Sequence, residues 1–200
     1  MASPSSPSSP PQQPPQSPLS AFFSRYKAFT PTPTTTEPPP DFSLPDEFAR
    51  LVAQQGWPPN SRALARARRE YRAALIDEFN FMFGIDSTDL ASWQTLCRVV
   101  GVRVEDLPGS VKQCRKVRCQ YSQSYVTIKT NGWRQLMAST HVNLMDLVET
   151  RYAGRSFVRR FSTLRALKED MLRSKKCFPR EAKKGGVLGA LLRDLGHTPV

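Results

Sequence analysis

The sequence predicts an all-α protein, a compact bundle of about five to seven short helices behind a disordered Pro/Ser-rich tail. Three observations carry that expectation. From Pro45 onward the apolar residues recur every three or four positions, which lays them along one face of a helix. Glycine followed by an apolar residue punctuates these runs at Gly56 and Trp57, Gly84 and Ile85, and Gly101 and Val102. Glycine enters the left-handed region without steric cost, and the apolar residue after it folds back on the last turn. Strand-like patterning is confined to one stretch, Gln120 to Trp133, where Tyr121, Tyr125, Val126 and Ile128 sit among Ser, Gln and Thr.

Taken in order, residues 1–20 open with "MASPSSPSSPPQQPPQSP", too poor in apolar side chains to offset the entropy of ordering, and form a disordered tail. Residues 21–41 hold an aromatic segment and a Pro/Thr linker. Phe22, Phe23, Tyr26 and Phe29 are too many aromatics to leave in water, so this segment packs against the domain. Residues 42–197 form a single helical domain. Its first helix stops at Gly56. The next, capped by Asn60 or Ser61, carries an apolar stripe of Leu64, Ala67, Tyr71, Leu75, Phe79 and Met82, with Arg62, Arg66, Arg69 and Arg72 on another face. A third begins at Ser87 or Thr88 and turns Leu90, Trp93, Leu96 and Val100 inward. "DLPGSVKQC" turns into a fourth, and "HVNLMDLVETRYAG" reads as a fifth. Ser162 or Thr163 caps "LRALKEDMLRSKK", Pro179 closes that region, and "GGVLGALLRDLG" gives a last short helix.

The stretch from Val117 to Gln135 has two readings. One is a surface hairpin turning at Asn131 and Gly132. The other is a retained intron, because Val117 and Arg118, Thr130 and Asn131, and Gln135 can be encoded as a 5′ splice site, a branch point and a 3′ end in one frame.

The segments "EFARLVAQQGW", "EFNFMFG", "LASWQTLCRVVG", "HVNLMDLV" and "FPREAKKGGVLGALLRDL" occur in that order between Glu47 and Leu195. In this the chain resembles a family of small fungal proteins of unknown function. The resemblance implies no activity and assigns no functional residue, and the segment after Lys116 falls outside it.

Charge bears more directly on function. The formal net charge is +12, and the excess lies in the C-terminal part, where residues 151–200 hold thirteen basic side chains against four acidic ones. Arg151, Arg155, Arg159, Arg160, Lys175, Lys176, Arg180, Lys183 and Lys184 interleave there with aromatics, a pattern that can grip phosphate backbones or form a basic solvated face or nuclear-import signal. "KKGGVLG" places lysines and flexible amides before a helix, an anion-attracting arrangement, yet it lacks the spacing of a P-loop and equally describes a loop glycine pair.

Catalysis finds less support. Asp77 and Glu78 are consecutive and cannot share a helix face, so they read as solvated or capping carboxylates. His141 reads as a polar residue at the edge of the core. Cys97, Cys114, Cys119 and Cys177 have no paired spacing, so they read as reduced, mostly buried thiols without a structural metal. No run reaches the roughly 20 apolar residues of a membrane span, and the N-terminus lacks the order of a secretory signal. The expectation is an intracellular, cytoplasmic or nuclear, non-enzymatic interaction domain without cofactor, membrane contact or named protein partner, with nucleic-acid binding as the alternative. An enzyme would need a concave pocket with converging polar groups.

Overall fold

In the computed structural model, the described residues are 16–31, 42–102, 104–116, 125–128, 140–155, 158–179 and 187–188. The elements run α1 (Pro18–Ser24), α2 (Leu44–Gln55), α3 (Arg62–Phe83), α4 (Leu90–Val99), a single 3-10 turn (Val104–Asp106), α5 (Val111–Lys116), β1 (Tyr125–Ile128), β2 (Thr140–Asn143), α6 (Leu144–Tyr152) and α7 (Leu164–Ser174). The protein is a helical bundle, as the apolar spacing predicts.

Helix α1 begins within the stretch whose composition predicts a disordered tail. The proline run gives way at Ser17, whose side chain accepts from Ser20 N–H, and Pro18 occupies the first turn, where its missing N–H costs nothing. Residues 18–20 of the expected tail are therefore helical, and residues 1–15 lie outside the described residues. Leu19, Phe22, Phe23 and Phe29 are buried in the same core as α3 and α6, so this segment belongs to the domain that was expected to begin at residue 42. Phe48 stacks on Tyr71 at 4.5 Å, Phe22 lies 5.8 Å from Tyr71, and Tyr26 meets Trp57 edge-on at 5.5 Å. These rings lock α1 and α2 onto α3.

Along α3, Leu64, Ala67, Tyr71, Leu75 and Phe79 are buried and Met82 is half-buried. Ser61 caps the helix by accepting from Leu64 N–H at 3.2 Å. The expected cap of the following helix is corrected. Asp89, rather than Ser87 or Thr88, accepts from Ala91 and Ser92 N–H, because a carboxylate can serve two amides at once. At the end of α4, Val102 N–H reaches Cys97 O at 2.9 Å and Gly101 N–H reaches Arg98 O at 2.8 Å, a Schellman pair.

The expected fifth helix is also corrected at its start. Residues 140–143 are extended, pairing with β1 in antiparallel register from Tyr125↔Asn143 to Ile128↔Thr140. His141 exchanges two backbone bonds with Phe161 on the other side. Asn143 ends the strand and starts α6, its Oδ1 accepting from Met145 N–H at 2.9 Å. β1 thus lies within 117–135 while its partner strand lies beyond it; the proposed turn at Asn131 and Gly132 falls outside the described residues. So does most of the expected last helix, of which Val187 and Leu188 are helical and buried.

Every residue from Leu144 to Thr150 is buried, so α6 is the central element rather than an amphipathic one. Against it pack α3 and β2, while the start of α2 reaches it through Leu44 and the segment after α7 through Lys176; Phe178, in that same segment, meets Phe79 of α3. No helix among the described residues is long and apolar enough to cross a membrane.

Candidate functional site

Because α6 is buried all round from Leu144 to Thr150, its two carboxylates, Asp146 and Glu149, must find partners inside the protein. Three residues apart, they share a face. Lys176, thirty residues further along the chain, reaches both: its Nζ lies 2.9 Å from Asp146 Oδ1 and 2.5 Å from Glu149 Oε2. The backbone around it is pinned, since Asn143 Nδ2–H donates to Lys176 O at 3.0 Å. The second oxygen of Glu149, Oε1, accepts from Leu44 N–H at 2.8 Å and so completes the start of α2, where Ser43 makes no side-chain cap.

These groups line a cleft of about 440 Å³. Phe42, Ser43 and Asp46 come from the start of α2, and Asp146, Glu149 and Thr150 from α6. Arg155, Val158 and Arg159 come from the segment after α6, and Ser174 and Lys176 from the end of α7. Gly154 sets the entry of Arg155: at φ 66° it lets Arg155 N–H return to Thr150 O at 2.7 Å. Two buried polar atoms of the cleft residues, Asp146 Oδ2 and Ser43 Oγ, have no hydrogen-bond partner among the described residues, and the two residues are 6% and 8% exposed.

Electrostatics follows from burial. Removal from water pushes the Glu149 carboxyl up to about 7, with Lys176 pulling the other way. Burial also raises Asp146, again against Lys176. For Lys176 burial acts to lower the ammonium, but Glu149 and Asp146 outweigh it and hold it above its ordinary value.

Six of the nine C-terminal basic residues lie among the described residues, and they differ in their surroundings. Lys176 is corrected from surface to interior, because two buried carboxylates claim its charge. Arg159 is exposed but pairs with Asp170 at 2.8 Å and lies over the Phe161 ring, and Arg173 shares the same carboxylate at 2.9 Å. Arg151, Arg160 and Lys175 are exposed, with the Arg160 guanidinium against Gly101, and Arg155 is half-buried in the cleft wall. Arg180, Lys183 and Lys184, with the "KKGG" stretch, lie outside the described residues. By contrast Arg62, Arg66, Arg69 and Arg72 are all exposed on the side of α3 opposite its buried stripe. Glu70 joins Arg66 at 2.7 Å and Arg25 at 3.5 Å beside them.

Of the remaining sequence candidates, Asp77 is exposed, whereas Glu78 is buried and caps α1 by accepting from Leu19 N–H at 2.9 Å. His141 is buried in β2 at the edge of the core, and burial lowers its pKa. Cys97 and Cys114 are buried, and burial pushes the Cys97 thiol up to about 12; Cys177 is exposed, and Cys119 lies outside the described residues. Among the described residues, no group of three or more His, Cys, Asp or Glu is placed to hold a metal ion. Sequence reasoning missed the cleft. Its available signal was a pair of acids at i, i+3 in "NLMDLVET", an otherwise apolar helix that cannot leave them unpartnered. Compared with known proteins, the chain matches no protein-family model, no curated protein and no solved structure.

Proposed function

We propose that the protein is a non-enzymatic helical interaction domain, and that a protein partner docks an acidic surface on the arginine face of α3. One observation carries this reading. Arg62, Arg66, Arg69 and Arg72 stand exposed along one side of a helix whose buried stripe is fixed in the core, so an arginine face, in which Arg66 also pairs with Glu70, is carried on a rigid element. Guanidinium forks suit carboxylates, and charge complementarity steers encounter and selects partners. The kinship with small fungal proteins, resting on the order of the quoted segments, belongs to the same proposal.

The test is capture by the tagged full chain from nuclease-treated extract, beside a variant with all four arginines changed to Glu. The expected result is an acidic protein that is lost with the variant and rebinds the intact chain when both are pure. Retention of the same purified protein by the variant would refute the docking face.

Nucleic-acid binding through the C-terminal basic region is the second reading, supported by the exposure of Arg151, Arg160 and Lys175. The inward engagement of Lys176 and the pairing of Arg159 with Asp170 weaken it. It requires affinity for DNA or RNA that falls steeply with salt, and a flatter salt slope when Arg159, Arg160, Lys183 and Lys184 become Ala.

A further inference from the structure

The cleft between α2, α6 and the end of α7 goes beyond the docking face, since none of the four α3 arginines lines it. Its acid pair is already neutralised in part by Lys176, so the acids alone specify nothing. What calls for a ligand is the pair of buried polar atoms left over, Asp146 Oδ2 and Ser43 Oγ. A buried carboxylate oxygen without a donor is costly, and natural proteins leave few such atoms unsatisfied. A donor must therefore come from water or from a bound molecule. At about 440 Å³ the cleft falls within the range of small-molecule sites.

The chemistry of that molecule is narrowed by the other walls. A bare cation meets Asp146 but also faces Arg155 and Arg159, on a chain whose net charge of +12 repels cations from afar. A bare anion suits the two arginines but leaves Asp146 Oδ2 without a donor. Both requirements are met by one molecule carrying an ammonium and an acid group. We propose that the cleft binds a small zwitterion of the α-amino-acid class, its ammonium donating to Asp146 Oδ2 and Ser43 Oγ and its carboxylate turned to Arg155 and Arg159. Arg159 retains donors for this role, because Asp170 takes only its NH1 edge in the ion pair and a guanidinium carries five N–H groups. Phe42 and Val158 supply the apolar wall for the stem of the molecule.

The experiment is titration calorimetry on the full chain with each proteinogenic amino acid in turn, and with methylamine and acetate as the two half-ligands. At least one amino acid binds, more tightly than either half-ligand. Asp146→Asn, which keeps the shape and removes the charge, weakens that amino acid about ten- to hundredfold. Ser43→Ala, at the start of α2, weakens it several-fold and guards against a folding defect in the first variant. Arg155→Gln weakens the amino acid while leaving methylamine unchanged. Absence of binding by every amino acid would mean that water alone satisfies Asp146, and would overturn the proposal. So would acetate binding as tightly as the best amino acid, or affinity unaltered in folded Asp146→Asn and Ser43→Ala.

Discussion

Gly84 follows α3 at φ 79° and ψ 158°, a region essentially closed to side chains bearing a Cβ. A Cβ built there would stand 2.3 Å from Ser92 Oγ, so both backbone and neighbour oppose it. Gly84→Ala is expected to lower unfolding free energy by about 1–3 kcal/mol in urea denaturation. Gly56, also left-handed but with open space around its Cβ position, is the gentler site, and Gly56→Ala costs less in the same assay. Asp89 makes a second residue-scale point. It caps α4 through two backbone amides and also accepts from Ser92 Oγ at 2.6 Å, contacts that hold its carboxyl below the ordinary range. Asp89→Ala should cost about 1 kcal/mol, and Asp89→Asn, which still caps, markedly less.

At the scale of elements, α6 behaves as a buried axle whose charges tie two neighbours to it. Glu149 closes the start of α2 through Leu44 N–H and the end of α7 through Lys176. Removing the lysine leaves two carboxylates buried against each other, so Lys176→Met is expected to destabilise by about 3–5 kcal/mol. The pH dependence has a definite sign. The folded-state value of Glu149, about 7, lies above the ordinary 4.5, so the folded state binds the proton more tightly than the unfolded state. Its contribution is fully present below the ordinary value and is lost as pH rises through about 7. The denaturation midpoint should therefore fall between about pH 5 and about pH 8, and fall less in Glu149→Gln. His141, whose lowered value acts in the opposite direction, is common to both proteins, so the difference reports Glu149 together with Asp146, to which it is coupled. An equal slope in the two would count against the buried pair.

For the whole molecule, the segment before the Pro/Thr linker decides whether the core is complete. Leu19, Phe22, Phe23 and Phe29 are each at most 5% exposed, and fully burying a side chain of this kind contributes about 1.5–3 kcal/mol. Four of them approach the entire stability of an ordinary domain, about 5–15 kcal/mol. A chain lacking residues 1–30 is expected to lose its cooperative thermal transition by circular dichroism, while one lacking residues 1–15 keeps it. Excision of 117–135 is a milder change. It removes β1, but β2 keeps its two backbone bonds with Phe161 and α6 keeps its Asn143 cap. The shortened chain should retain a helical spectrum and a cooperative melt. Mass spectrometry of the native protein for the tryptic peptide from Cys119 to Lys129 separates the hairpin from the intron reading: its presence sinks the intron.

The sequence by itself determined α2, α3, α4 and α7, the buried stripe of α3, the glycine stops and the docking of the aromatic segment. All of these depend on residues close in the chain, where a period of 3.6 or a positive φ expresses itself locally. Even the choice of Asp89 over Ser87 or Thr88 was within reach, since a carboxylate at the position before Leu90 is a strong cap. Only the tertiary structure decided the fate of Lys176. By composition it belonged with the C-terminal cations, yet it is drawn inward because α6, buried on every side, carries two acids that need a counter-charge. The same holds for Glu78, which spends its carboxylate on the start of α1, fifty-nine residues away in the chain. The cleft is likewise assembled from the start of α2, from α6, and from the turns beyond α6 and α7. No local pattern encodes where segments so distant in sequence meet, because that is fixed by which apolar faces the completed core must cover.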